Sequence, residues 1–293
     1  MPAPTIRGYC GILLLLGFLT ACGLSAAPKK GVGAWYFPSV NRALVDVNVS
    51  WYYTWQPHTM QISRPDGVEF VPMIWDETFV KPNELELAKE SGSVLLGFNE
   101  PDGADQANMT VEEALNLWPQ LMATGLRLGS PAPAANPSLP GSWLERFMMG
   151  ARARGYRVDF LAVHWYGDKF DVDEAVNGLK DFLEAVYHKY QLPIWLTEYG
   201  LIRWSEPPVF PSWEQQAEFA AKSVEMLERL PFVERYAWFS LPPSTKDGSD
   251  TTALYDQNGE PTPVGIAYRK AGLKLGRFSS APLSTNPNTK PKP

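Results

Sequence analysis

Short apolar runs recur along the chain at 31–36, 47–53, 69–74, 93–98, 126–130, 159–165, 193–198 and 235–240. Each has the length of one β-strand. Several are apolar throughout rather than alternating, as strands covered on both faces are. Between them lie amphipathic stretches, clearest at 111–124, 173–190 and 213–229, whose apolar positions follow the helical period. Thr110 followed by Glu113 forms a capping box that opens the first of these helices. Strand, helix and strand in repetition predict a parallel sheet. Eight strands favour closure into a single (β/α)8 barrel over an open doubly wound sheet, and no G-x-G-x-x-G turn follows the first run. The helical pattern is poorest at 37–48 and 75–92. No internal repeat or composition break divides 31–273, so this block is expected to be one domain.

The flanks differ in composition. Arg7 precedes an apolar stretch at 11–19 that is too short to span a bilayer, and "LTAC" at 19–22 follows it. This arrangement resembles the lipobox of bacterial lipoproteins, which implies a signal peptide at 1–21 and acylation of Cys22. A lipid-anchored location in the bacterial cell envelope is then expected, with a tether at 22–30 and a disordered tail at 274–293. Cys10 and Cys22 are the only cysteines, so the folded body has neither thiol nor disulfide. Net charge is −6 with no basic run, which argues against a nucleic-acid partner. Three histidines build no histidine-centred metal site, no cofactor motif is present, and a monomer is expected.

Two of the apolar runs end on a carboxylate. "SVLLGFNEPDG" stops at Asn99 and Glu100, and "LPIWLTEYG" at Glu198 and Tyr199. An isolated buried charge is costly, and one such glutamate alone is as readily a helix cap or an arginine partner. Two of them, after the fourth and the seventh strand, fall at the barrel face where active sites lie. Facing carboxylates of this kind suit glycosidic bond hydrolysis, with one giving a proton and the other attacking carbon or activating water. The eleven tryptophans exceed what core packing asks for. Trp35, Trp51, Tyr53, Trp55, Trp75, Trp165, Tyr166 and Trp238 lie at or just past strand ends, where aromatic faces suit the C–H faces of sugars. The Pro-rich segments 130–142 and 203–213 fall on the same face as candidate cleft walls.

The ordered set "GVGAWYF", "VSWYYTW", "FVPMIW", "LLGFNEPD", "FLAVHWYG", "WLTEYG" and "YAWFSL" resembles glycoside hydrolase family 128, a family of β-1,3-glucanases, over residues 31 to 271. The resemblance implies retaining, endo-type cleavage of β-1,3-glucan, with Glu100 as acid/base and Glu198 as nucleophile. It implies that Asn99 binds the sugar 2-OH and that His164 and Tyr199 orient the carboxylates. Trp51, Tyr53, Trp75, Trp165, Tyr166 and Trp238 complete the expected sugar-binding set. Two alternatives stay open at this point. One is the same mechanism on a β-1,4-glucan or mannan; the other is a carbohydrate-binding lipoprotein without catalysis.

Overall fold

The computed structural model describes residues 29–245 and 249–272, and the expected signal peptide, lipid site and tail lie outside them. Eight strands follow in order: β1 (Lys30–Gly33), β2 (Trp51–Tyr53), β3 (Glu69–Phe70), β4 (Val94–Leu95), β5 (Arg127–Leu128), β6 (Leu161–Gly167), β7 (Ile194–Leu201) and β8 (Val233–Trp238). All pairings between these strands are parallel, in a six-stranded sheet β3-β2-β1-β8-β7-β6 and a pair β4-β5. Single parallel bridges, Met73 to Leu96 and Gly129 to Phe160, join the two pieces at both seams, so the strands run in cyclic order. Pro72 and Pro131 stand just past β3 and β5 and lack the N–H that a longer ladder needs, which keeps these seams short.

Helices α1 (Val40–Asp46), α2 (Pro82–Ser91), α3 (Val111–Met122), α4 (Trp143–Ala153), α5 (Val172–Tyr190), α6 (Trp213–Arg229) and α7 (Pro263–Lys270) complete the fold. The capping box of α3 forms as expected, with Glu113 accepting from Thr110 N–H at 2.8 Å. Ser212 and Gln215 make a second one at α6. The weak pattern at 75–92 has a physical cause: α2 buries only Ala88 and so needs no apolar stripe. Helix α4 does carry a stripe, Trp143, Leu144, Phe147 and Ala151, and the sequence reading passed over it.

Two hydrophobic layers result. Trp51, Tyr53, Met73, Leu96, Phe160 and Trp195 are among the residues that fill the barrel interior, while a larger cluster lies between the strands and the helices. Gly31 makes the interior possible, since a Cβ there would lie 2.3 Å from the Trp51 ring. Beneath this layer the Arg235 guanidinium lies 4.5 Å from the Trp195 centroid and pairs with Glu69 at 2.6 Å.

The expected tether at 22–30 overruns the fold. Lys29 donates to the carbonyls of Leu227, Glu228 and Leu230, at the C-terminal end of α6. Lys30 begins β1 and donates to Tyr268 and Ala271 at the end of α7. Both ammonium groups satisfy carbonyls that helix ends leave open and complement their negative dipole ends. Among the described residues no helix is long and apolar enough to cross a membrane.

Candidate active site

Residue parity decides which side chains reach the barrel mouth. Along β6, Leu161, Val163 and Trp165 pack outward, so Phe160, His164 and Tyr166 face inward. On β7, Trp195 faces in and Leu196 faces out. Strict alternation would then send Glu198 outward and Tyr199 inward. The register shifts instead: Val163 pairs with Leu196, but His164 pairs with Glu198. Thr197 is the extra residue of a β-bulge, and such a residue re-aims everything after it. Glu198 therefore turns into the mouth. Tyr199 turns into the outer layer, where it packs against Trp238 at 4.9 Å and Phe219 at 6.3 Å.

Glu100 arrives from the other side. It follows β4 with φ at +44°, in the left-handed region that costs a non-glycine residue some strain and often marks functional sites. Its N–H donates to Ala132 at 2.7 Å, and Asn99 N–H donates to Trp75 at 2.9 Å. Asp102 accepts from Ala134 and Ala135 N–H at 2.8 and 3.0 Å, which fastens the Pro-rich 130–142 segment to the turn bearing Glu100.

One oxygen of each glutamate and a ring nitrogen of His164 all lie within 4.8 Å of one another. His164 Nδ1 is 2.8 Å from Glu100 Oε1, and Nε2 is 3.6 Å from Glu198 Oε1. Two donors converge on Glu198, Trp55 Nε1–H to Oε1 at 2.8 Å and Tyr166 O–H to Oε2 at 2.5 Å, while Tyr53 O–H, which donates to the Thr197 carbonyl at 2.9 Å, lies 3.3 Å from Oε1. An indole N–H can only donate, so Trp55 favours an accepting, ionised carboxylate. Gly33 seats that indole, since a Cβ there would lie 2.5 Å from Trp55 Cη2. This trio is the one grouping of metal-donor type among the described residues. A cation there would have to displace the donors already held by Glu198.

Burial raises the pKa of Glu198 above the usual carboxylate value, against the pull of the His164 charge; the negative charge of Glu100 adds to the rise, and the donors Tyr166 and Trp55 oppose it. For His164, burial is the largest single influence and lowers its pKa, but Glu198, Glu100 and Asp102 together outweigh it and hold the imidazole above its ordinary value. Tyr53 and Tyr166 are pushed well above the usual phenol value, by burial first and then by Glu198, so both stay neutral donors.

The carboxylates open into a cavity of about 540 Å³, whose lining includes Trp55, Trp75, Tyr166, Trp204 and Phe239. This volume is typical of small-ligand pockets. Asn99 also lines it, 3 % exposed, with Nδ2 donating to Gln106 at 3.3 Å and Oδ1 without a protein partner. Both Pro-rich segments reach the cavity, through Ala134 and through Trp204, Ser205 and Glu206.

The sugar-binding set needs correction. Trp51 is wholly buried in the barrel interior and donates its N–H to the Lys29 carbonyl. Trp165 faces the outer layer and stacks on Phe219 at 5.9 Å. Trp238, also fully buried, donates to the Thr252 carbonyl at 2.7 Å on that outer side. Tyr199 shares this layer and touches neither carboxylate. Tyr53 is buried beneath Glu198, as a support rather than a sugar platform. Of the aromatics expected at the strand ends, Trp55, Trp75 and Tyr166 line the cavity. Trp204, Phe239, Asp105, Gln106 and Glu206 line it without having been expected there. Phe239 was findable, because one step past an outward Trp238 the strand must point inward.

A parallel (β/α)8 fold with two carboxylates facing each other in an aromatic cleft defines a glycoside hydrolase. The chain belongs to the glycosyl hydrolase catalytic core family, which matches residues 34–268, and within it to glycoside hydrolase family 128. It is 52% identical, with a TM-score of 0.80, to a subgroup I endo-β-1,3-glucanase of that family from Amycolatopsis mediterranei. That structure is a Glu-to-Gln variant in complex with laminarihexaose, and the match covers 84% of this chain and 100% of that one. A subgroup II endo-β-1,3-glucanase from Sorangium cellulosum is 29% identical with a TM-score of 0.70, over 83% and 98% of the two chains. The alkali-sensitive linkage protein 1 of Schizosaccharomyces pombe is 30% identical over 238 residues, which are 76% of this chain and 41% of that protein. The chain thus spans about two fifths of the length of that curated relative.

Proposed function

We propose that the protein is an endo-acting β-1,3-glucanase that works with retention of configuration. The observation that carries the mechanism is the juxtaposition of Glu100 and Glu198, with oxygens within 4.8 Å, about one His164 ring. Retaining pairs stand about 5–5.5 Å apart, whereas inverting pairs leave a gap of about 6.5–9.5 Å for water. The substrate reading rests on the relatives, because neighbours at 52% identity are endo-β-1,3-glucanases with laminari-oligosaccharides bound.

Glu198 is the nucleophile. Its oxygen attacks the anomeric carbon while Glu100, protonated, gives its proton to the glycosidic oxygen, and the bond from carbon to that oxygen breaks. The product is a glycosyl ester on Glu198 and an ionised Glu100. Glu100 then takes a proton from water, the hydroxide oxygen attacks the same carbon, and Glu198 leaves as carboxylate. The negative charge passes from Glu198 to Glu100 and back, with the His164 ring between them throughout. Asn99, which lines the cavity and whose Oδ1 has no protein partner, is assigned the sugar-hydroxyl contact, one that strengthens as charge develops on the ring.

The test is product release from laminarin, beside cellulose and mannan, by the chain from residue 28 onward. A ladder of laminari-oligosaccharides from laminarin alone is expected. Glucose as the sole early product would refute endo action, and cleavage only of cellulose or mannan would refute the linkage. The proposal extends to location: the lipobox-like "LTAC" supports an envelope lipoprotein acylated at Cys22. Cys22→Ser is expected to lose labelling by a palmitate analogue, and persistent labelling would refute the anchor.

A further inference from the structure

The catalytic pair does not account for all the charge around the cleft. Four of the thirteen described residues around the cavity are carboxylates, Glu100, Asp105, Glu198 and Glu206, and none is lysine or arginine. Asp105 belongs to the connection after β4 and Glu206 to that after β7, so the surplus charges come from both sides of the cleft. Neither enters an ion pair or a hydrogen bond among the described residues, so neither is neutralised. The nearest cation in sequence to Glu206, Arg203, is turned away. Its guanidinium donates to the Asp168 carbonyl at 3.0 and 3.2 Å and lies over Phe170.

A second observation points to the kind of group the cleft accepts. Asn99 lines the cavity, is more than nine-tenths buried, and its Oδ1 has no protein partner. Gln106 beside it already spends its own oxygen on Asn99 Nδ2. Acceptor oxygens are satisfied by hydroxyl donors. A carboxylate or sulfate brings only further acceptors and a like charge. A roughly spherical cavity of 540 Å³ is about 10 Å across, well inside the roughly 30 Å screening length at 10 mM salt, so a charge anywhere in it is felt by Asp105, Glu206 and the ionised Glu198.

We propose that Asp105 and Glu206 are specificity-determining residues, which exclude glucan chains bearing anionic substituents and so restrict the enzyme to neutral, hydroxyl-rich β-glucan. This rests on the glucanase reading. Repulsion built against a wrong ligand discriminates without any gain in contact to the right one. Both side chains are exposed, so the effect depends on ionic strength.

The test compares carboxymethyl-curdlan with hydroxyethyl-curdlan at equal degree of substitution, which matches bulk and differs in charge, with unmodified curdlan as reference. At 10 mM salt the wild type is expected to show kcat/KM about tenfold lower on the carboxymethyl than on the hydroxyethyl polymer, an order-of-magnitude figure for like charges at short range. That ratio should shrink at 0.5 M salt, and in Asp105→Asn/Glu206→Gln it should fall to about threefold at low salt. A ratio near one in the wild type, or one that neither salt nor the double variant changes, overturns the proposal and leaves the glucanase reading intact if curdlan is cut. No cleavage of curdlan by the wild type would remove the glucanase reading, and this proposal with it.

Discussion

Tyr166→Phe removes one oxygen and leaves the ring that packs at 5.2 Å against Trp204 and 5.8 Å against Phe239. What is lost is the 2.5 Å hydrogen bond to Glu198 Oε2. A hydrogen bond to a charged group contributes about 1.5–3 kcal/mol, and about 1.4 kcal/mol corresponds to one pKa unit. Losing a donor to the ionised form therefore raises Glu198 further. The sign matters. Glu198 works ionised, so activity falls as pH drops through its pKa. Burial already puts that point above the ordinary glutamate value of 4.5 in the wild type. The assay is kcat/KM on laminarin from pH 4 to 8. The acid limb is expected to move to higher pH, with a loss of about tenfold or more on the limb, since about 1.4 kcal/mol is a factor of ten, and a much smaller loss on the plateau. Tyr53→Phe removes a longer contact, 3.3 Å, and is expected to shift the limb less. An unmoved limb with a lowered plateau would refute the reasoning, because Tyr166 would then only shape the cleft.

Two further substitutions separate support from core. Gly33→Ala places a methyl carbon 2.5 Å from Trp55 Cη2, so the indole N–H must leave Glu198; kcat on laminarin is expected to fall at least tenfold with the far-UV CD spectrum kept, and unchanged kcat would show that Trp55 does not hold the nucleophile. Trp51→Ala opens a cavity in the barrel interior and is expected to cost about 3–5 kcal/mol in urea unfolding. Its activity per folded molecule should stay near wild type, and a selective loss of activity instead would return Trp51 to the sugar-binding set.

The eight strands and their order were legible because each is a separate apolar run bounded by turn residues. The positions of Glu100 and Glu198 were legible for the same reason, since a run that ends on a carboxylate marks a strand end. Which aromatics face the cleft was not. Position along a strand sets height in the barrel, but parity sets the side, and parity on β7 changes at Thr197. A bulge leaves no composition signal, so Tyr199 read as a neighbour of the carboxylates when its ring lies behind them. Trp165 and Trp238 sit at strand ends too, one residue out of phase with the inward Tyr166 and Phe239. Trp204 and Glu206 lie on a loop, where no period constrains direction and pairing such as Arg203 with Val209 decides it.

The most direct measurement of the catalytic assignment is time-resolved proton NMR of the anomeric region during hydrolysis of laminarin by the wild-type enzyme. Two inversions at one carbon, the first by Glu198 and the second by water under Glu100, release the new reducing end as the β-anomer. The β signal is expected first, with the α signal rising only at the rate of mutarotation. If the α-anomer forms first, no glycosyl ester on Glu198 lies on the path, and the roles given to both glutamates are wrong.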